Sequence, residues 1–183
     1  MGGRDKGLVV FRGRALVEHV IERLTPQVAS VLISANRNLD RYARYRVPVI
    51  PDLVPGFQGP LAGMAAAMRV AETEWLLCVP CDCPELPLDL AERLYRGLVE
   101  GATLAIAWDG DYVQPLFALL RTSLYASLNA FLAQGGRKVE AWQGQQGCIR
   151  VDFSDQPHAF ANLNTLRSLL ASEHGYTENA GDA

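Results

Sequence analysis

The sequence predicts an α/β fold: a mostly parallel sheet with helices on both faces. Three observations predict it. Short apolar runs alternate with segments of helical period, the rhythm of βαβ units. Two of the apolar runs are followed closely by an aspartate, and in open parallel sheets ligands sit beyond the carboxyl ends of the strands. The chain has 183 residues, 49% hydrophobic and 20% charged, which suits one globular domain with a substantial core.

The elements follow in order. Residues 8–11 form a short extended piece. Leu16, Val17, Val20, Ile21 and Leu24 recur at helical spacing, and Pro26 closes that helix. Residues 31–35 read as a buried strand, and 36–45 as loop plus a short helix. Residues 47–50 make another strand, stopped by Pro51. The stretch 52–60, rich in Pro and Gly, is a loop of functional length. A small-residue helix follows over 61–70. Residues 75–79 form the most apolar strand, expected at the centre of the sheet. Residues 87–97 form an amphipathic helix with Pro87 in its first turn. Strands at 103–108 and 112–120 flank the turn Asp109-Gly110-Asp111. Residues 122–133 are helical, and 135–147 are polar without a clear period. Short strands are expected at 148–153 and 159–163, a last helix at 165–173, and a frayed tail at 175–183. No repeat or linker divides the chain, so residues 1–174 are read as one domain.

Charge and composition exclude several classes of function. The net charge of −3 argues against a protein that coats nucleic acid. Residues 1–50 carry nine Lys/Arg and four Asp/Glu, a balance of +5; the remainder carries eight and sixteen, a balance of −8. A basic N-terminal part suits a small anionic ligand such as a phosphate, and a solvated basic face explains it equally. No apolar run approaches the roughly 18–20 residues of a membrane helix. Three of the four cysteines, Cys78, Cys81 and Cys83, share one short apolar segment, with Cys148 apart. That is poor disulfide geometry and points to a reducing, cytoplasmic setting. A metal cluster would need a second Cys or His pair at zinc spacing, and none is present. His19, His158 and His174 are scattered and form no metal or triad pattern.

The residues that carry chemistry are few. Gly2-Gly3-Arg4-Asp5-Lys6-Gly7 is small, flexible and basic: glycines let backbone N–H groups approach a phosphate, and a lysine adds a point charge. It is not a Walker loop, because no Ser or Thr follows Lys6. Asp82 follows the strand at 75–79 and would project into the crevice, where a carboxylate is a natural Mg²⁺ ligand; the alternative is a cap on the next helix. Asp52 repeats that placement after residues 47–50, where a carboxylate can accept from the ring N–H and amino group of guanine; the alternative is a turn-forming aspartate. Asn162 and Asn164 bracket Leu163, so their amides can face one ligand, unless Asn164 caps the last helix. Asp109-Gly110-Asp111 is read as a turn rather than a metal site.

Taken in order, Met1-Gly2-Gly3-Arg4-Asp5-Lys6-Gly7, Ala35-Asn36-Arg37, Pro51-Asp52, Gly59-Pro60-Leu61-Ala62-Gly63, Pro80-Cys81-Asp82 and Asn162-Leu163-Asn164-Thr165 resemble the molybdenum cofactor guanylyltransferase family. The resemblance runs from Met1 to about residue 172. It implies a Rossmann-like nucleotidyltransferase fold and transfer of GMP from Mg·GTP to the terminal phosphate of molybdenum-molybdopterin, with release of pyrophosphate. It implies that Lys6 holds GTP phosphates, Asp52 contacts the guanosine, Asp82 binds Mg²⁺, residues 59–63 lie by the substrate, and Asn162 and Asn164 lie on the pterin side. Other cofactor-assembly proteins and molybdoenzymes are the implied partners; nucleic acid and membrane are not.

Two departures from the family pattern matter. The family begins with an apolar strand and a Leu-Ala-Gly-Gly turn ahead of the Met-Gly-Gly. This first strand and first glycine turn are missing here, which implies an unpaired gap in the sheet and exposed apolar surface. A start assigned too late or a shortened chain explains this better than a defective copy. Ser34 stands where the family usually has a longer, nucleotide-contacting Asn. Two alternatives accompany the reading: a related nucleotidyltransferase using CTP or a sugar-phosphate acceptor, and a non-catalytic cofactor-binding protein whose phosphate loop is incomplete.

Overall fold

The computed structural model describes residues 5–53, 59–163 and 165. The helical period after residue 15 becomes α1 (Leu16–Leu24), which buries Leu16, Val17, Val20 and Leu24. A small antiparallel hairpin precedes it, β1 (Val10–Phe11) with β2 (Arg14–Ala15). Next come β3 (Ile33–Ser34), α2 (Leu39–Ala43) and β4 (Val49–Ile50), with β3 and β4 paired in parallel as the crossover requires. The alanine-rich α3 (Pro60–Val70) is almost wholly buried, and its small side chains admit strands on one side and α5 on the other.

The second half builds one four-stranded sheet. It contains β5 (Trp75–Cys78), β6 (Leu104–Trp108), β7 (Val113–Arg121) and β8 (Ile149–Asp152), in the spatial order β5-β7-β6-β8. β7 runs antiparallel to both neighbours, and β6 and β8 are parallel. Hence β5, β6 and β8 share one direction and β7 alone is reversed, because a two-stranded hairpin joins it to β6. The mostly parallel character expected from the sequence holds in strand direction, while the reversed strand makes two of the three pairings antiparallel. Helices cover both faces. On one side α1 and α4 (Leu90–Arg96) pack Val20, Leu24, Leu90 and Leu94 against Ala105, Ala107, Phe117 and Leu119. On the other, α3, α5 (Tyr125–Ala133) and α6 (Val139–Gly144) pack Leu61, Met64, Leu128 and Trp142 against Leu104, Ile106, Ala118 and Leu120. Alternation along the strands makes this division.

β5 departs from expectation. It lies at the edge of its sheet rather than the centre, and the β3–β4 pair forms a separate sheet. Between the edges of β3 and β5 runs an apolar cleft of about 1350 Å³. Val17, Val20, Ile21 and Leu24 of α1 line it together with Met64, Ala67 and Val70 of α3. Those two helices pack on opposite faces of β5, since Trp75, Leu77 and Val79 join the α1 cluster and Leu76 and Cys78 the α3 cluster. The cleft is walled by two strand edges and two helices. Among the described residues, each edge leaves one row of ladder groups without a strand partner.

Three smaller expectations change. Residues 135–147 hold α6, whose Trp142 is fully buried and donates its indole N–H to Ser127 Oγ at 3.3 Å. Residues 159–163 form no strand. Pro157 opens a single 3-10 turn (Pro157–Phe160) that drives the Phe160 ring against Phe117 and Phe153, at centroid distances of 4.8 and 5.4 Å. The amphipathic helix begins at Leu90 rather than at residue 87. Of the last helix only Thr165 is described, and the tail at 175–183 lies outside the described residues. Trp142→Ala should destabilise the fold by about 3–5 kcal/mol, read as a lower midpoint in urea unfolding, because it opens a cavity beneath β6 and β7.

Candidate active site

Lys6 opens a single 3-10 turn (Lys6–Leu8), closed by Leu8 N–H to Asp5 O at 3.2 Å and Val9 N–H to Lys6 O at 3.1 Å. Its Nζ donates to Asp82 Oδ2 at 2.8 Å. Asp82 stands in the turn that follows β5, so a residue from the amino end and one from mid-chain meet at the carboxyl end of a strand. The lysine side chain is 70% exposed and the aspartate only 16%, so the carboxylate is the fixed partner and the lysine the mobile one. The hydrogen bond and the charge of Asp82 raise the Lys6 pKa above its usual value. The sign follows: the pairing is complete at neutral pH and is lost as pH rises through the raised pKa.

Asp52 follows β4 and is held by Asn36, which follows β3. Asn36 Nδ2 donates to Asp52 Oδ2 at 2.7 Å, and the Asp52 backbone N–H donates to Asn36 Oδ1 at 2.8 Å. This reciprocal pair bridges the ends of the two parallel strands. It restrains the aspartate as a group with a defined face, beyond the role of turn former. Gly63 of α3 lies against it. A Cβ there would stand 2.7 Å from Ser34 Oγ, too close without a shift of that side chain, and 3.8 Å from Asp52 Oδ1, an ordinary contact, so the glycine suits the helix's approach to Ser34. Ser34, Asn36, Asp52, Gly59, Gly63 and Asp82 all line the cleft between β3 and β5. Its walls are apolar, and these residues supply its polar groups beyond the strand ends.

Asn162 accepts through Oδ1 from the Thr165 N–H at 3.1 Å and the Thr165 hydroxyl at 3.2 Å. The capping geometry the sequence offered for Asn164 is thus made by Asn162. The segment is nevertheless tied to the site, because Leu163 N–H donates to Asp82 O at 3.0 Å. Asn164, Gly2, Gly3 and residues 54–58 of the long loop lie outside the described residues. Asp109 is a turn residue: its Oδ1 accepts from the N–H groups of Asp111 and Tyr112 at 2.9 and 2.7 Å. Burial pushes the thiols of Cys78 and Cys83 up to about 12, which disfavours a nucleophilic thiolate at either position at neutral pH.

Sequence reasoning passed over Asn36 as a functional side chain. It appeared only within a motif, and nothing local to residue 36 announces a partner sixteen positions away. Among the described residues no group of three or more His, Cys, Asp or Glu side chains could hold a metal ion. That donor set fits a cation carried by a polyphosphate: Mg²⁺ is bound through one or two carboxylates plus substrate phosphates and water. Asp82 would supply the carboxylate.

The chain has only two lysines, Lys6 and Lys138, which makes the ion pair directly measurable. Asp82→Asn should lower the Lys6 pKa and speed its acylation relative to Lys138 in mildly alkaline solution. A Lys6-to-Lys138 ratio unchanged by the substitution would show that the pair does not persist in solution.

Comparison with known proteins gives the family and the fold. Residues 1–147 match the family described as the MobA-like NTP transferase domain. The molybdenum cofactor guanylyltransferase of Shewanella halifaxensis is 48% identical over 183 residues, covering 96% of this chain and 92% of that protein. That of Photobacterium profundum is 48% identical over 169 residues, covering 92% and 87%. Among solved structures, the molybdopterin-guanine dinucleotide biosynthesis protein A of Archaeoglobus fulgidus superposes with a TM-score of 0.75 at 25% identity, covering 94% of this chain and 90% of that one. A nucleotidyl transferase from Methanothermobacter, at 16% identity and a TM-score of 0.69 over 93% of this chain and 84% of that one, shares the fold. With these similarities, the chain belongs to the molybdenum cofactor guanylyltransferase family, a family of nucleotidyltransferases.

Proposed function

We propose that the chain transfers GMP from GTP to the terminal phosphate of molybdenum-molybdopterin, giving the guanine dinucleotide form of the cofactor and pyrophosphate. The observation that carries this reading is the 2.8 Å contact of Lys6 Nζ with Asp82 at the carboxyl end of β5. An anionic triphosphate can replace the aspartate as the partner of Lys6, and the freed carboxylate then faces the phosphate-borne Mg²⁺.

The roles follow from charge. A terminal phosphate oxygen attacks the α-phosphorus of GTP, one P–O bond forms, and the α–β bridging P–O bond breaks. Two anions must approach, and negative charge gathers on the leaving pyrophosphate. Mg²⁺ supplies charge neutralisation at the phosphates when bound. Lys6 holds phosphate oxygens and offsets the charge of the leaving group. Asp82 holds its carboxylate where the cation is needed. Asp52, restrained by Asn36, accepts from the ring N–H and amino group of guanine; the shorter Ser34 beside it offers a hydroxyl where the family usually has an amide. The family resemblance gives Asn162 and Asn164 to the molybdopterin side, and Asn162 keeps its amide N–H₂ for that purpose while its oxygen caps Thr165. Catalysis of this kind is positioning plus electrostatics and needs no covalent nucleophile. The reaction belongs to the cytoplasm, beside other cofactor-assembly proteins and the molybdoenzymes that receive the product. No helix among the described residues is long and apolar enough to cross a membrane.

Pyrophosphate release from Mg·GTP in the presence of molybdenum-molybdopterin tests the reading: release supports transfer, and nucleotide binding without release overturns it. Lys6→Ala and Asp82→Ala should each lower transfer roughly 100- to 1,000-fold, and full activity of Asp82→Ala under Mg²⁺ would overturn its metal role. Asp52→Ala should reduce the preference for GTP over CTP about tenfold in a competition titration; equal affinity of the unaltered chain for both nucleotides would sink the guanine assignment.

A further inference from the structure

Lys6 is long, flexible and largely exposed, so something must set where its amine can reach. The residue before it does not pair with it. The Asp5 carboxylate, itself only 14% exposed, turns away toward α2. Its Oδ1 accepts the Tyr42 hydroxyl at 2.5 Å, its Oδ2 accepts Asn38 Nδ2 at 2.9 Å, and Arg37 Nε stands 3.6 Å from Oδ2. Tyr42 is buried in a cluster with Leu8, Val17 and Ile33, so the anchor is part of the core rather than a surface contact. Burial and the Asp5 carboxylate hold the Tyr42 hydroxyl above the usual tyrosine range, which keeps it a donor. The residue after the lysine is shaped by the same hydroxyl: a Cβ on Gly7 would stand 2.6 Å from Tyr42 Oη. The turn that carries Lys6 is therefore gripped on both flanks by one tyrosine.

We propose that Asp5 and Tyr42 are positioning residues for Lys6: their hydrogen bond locks the Lys6–Leu8 turn onto α2 and so fixes the lysine opposite Asp82. The proposal rests on the reading that Lys6 meets the nucleotide phosphates. Its physical content appears when the triphosphate arrives. The Lys6–Asp82 bond must then be exchanged for phosphate oxygens, and that bond stops tethering the turn. The anchor through Asp5, which faces α2 and not the ligand, remains. A charge-assisted hydrogen bond with Asn38 as a second donor and the Arg37 guanidinium beside the same carboxylate is strong enough to hold a three-residue turn.

A double-mutant cycle with Mg·GTP titration tests this, because a residue acting through Lys6 loses its effect once the amine is gone. Tyr42→Phe keeps the ring and removes the hydroxyl. It should weaken GTP binding roughly tenfold in the unaltered background. In a Lys6→Ala background it should weaken binding no further. Asp5→Asn, which keeps an acceptor for Tyr42, should lose less than Asp5→Ala. Losses that add in the double variant would overturn the proposal. Amide hydrogen exchange supplies a readout independent of nucleotide. Tyr42→Phe should speed exchange at Leu8 and Val9 and leave the amides of β6 and β7 unchanged. Should the chain bind no GTP, the guanylyltransferase reading fails and the exchange result decides the clamp: unchanged protection at Leu8 and Val9 overturns it.

Discussion

Between Lys6 and Asp82 a single charged hydrogen bond of 2.8 Å joins positions 76 residues apart. The candidate site depends on that meeting, and the meeting depends on strand direction. β3 and β4 run in parallel, so the residues that follow them, Asn36 and Asp52, emerge at the same end. Asp82 follows β5, and Leu163 donates to its backbone carbonyl, which brings the far end of the chain to the same place. In the proposed transfer the like-charged phosphates repel one another, and a cation held on a short turn beside a half-buried carboxylate would offset that repulsion without covalent chemistry.

β3 and β5 belong to separate sheets, and an apolar cleft stands between their edges. What holds the halves in register is helix packing: α3 touches both β3 and β5, and α1 closes the other face. Such an arrangement keeps the polar residues at the strand ends close to one another while leaving backbone groups on two edges without strand partners. The site geometry survives because its own bonds cross the gap: Lys6 to Asp82 from one side, Asp5 to Tyr42 and Asn38 from the other.

Much of the fold was legible in the sequence, and the reasons are particular. The period of Leu16, Val17, Val20 and Leu24 describes α1 because one face of it is buried. The alternation around Asp109-Gly110-Asp111 describes the β6–β7 hairpin because a tight turn with Asp109 accepting two N–H groups needs little else. α6 was not legible: its Trp142 sits among Gln, Gly and charged residues, and only the tertiary structure shows the ring packed with Leu104 and Leu120 and Gln143 Nε2 donating to Pro115 O at 2.8 Å. The short 3-10 turn at Phe160 looked like a strand because aromatic residues are at home in both, and the absence of a partner strand is a tertiary fact. The place of β5 at a sheet edge was likewise invisible in its composition, since an apolar strand reads the same whether its neighbour is present or not.

For the site, local chemistry alone nominated Lys6, Asp52 and Asp82, because a basic glycine-rich turn and aspartates following apolar strands are patterns within a few residues. The sequence also settled the family, through the order of its motifs. Only the tertiary structure decided which side chains restrain them: Asn36 across to Asp52, Tyr42 and Asn38 across to Asp5, Ser34 under Gly63. The physical reason is range. Propensity and periodicity act between neighbours in the chain, whereas a hydrogen bond is set by distance in space, and contacts between residues 5 and 42 or 36 and 52 exist only after the strands have aligned.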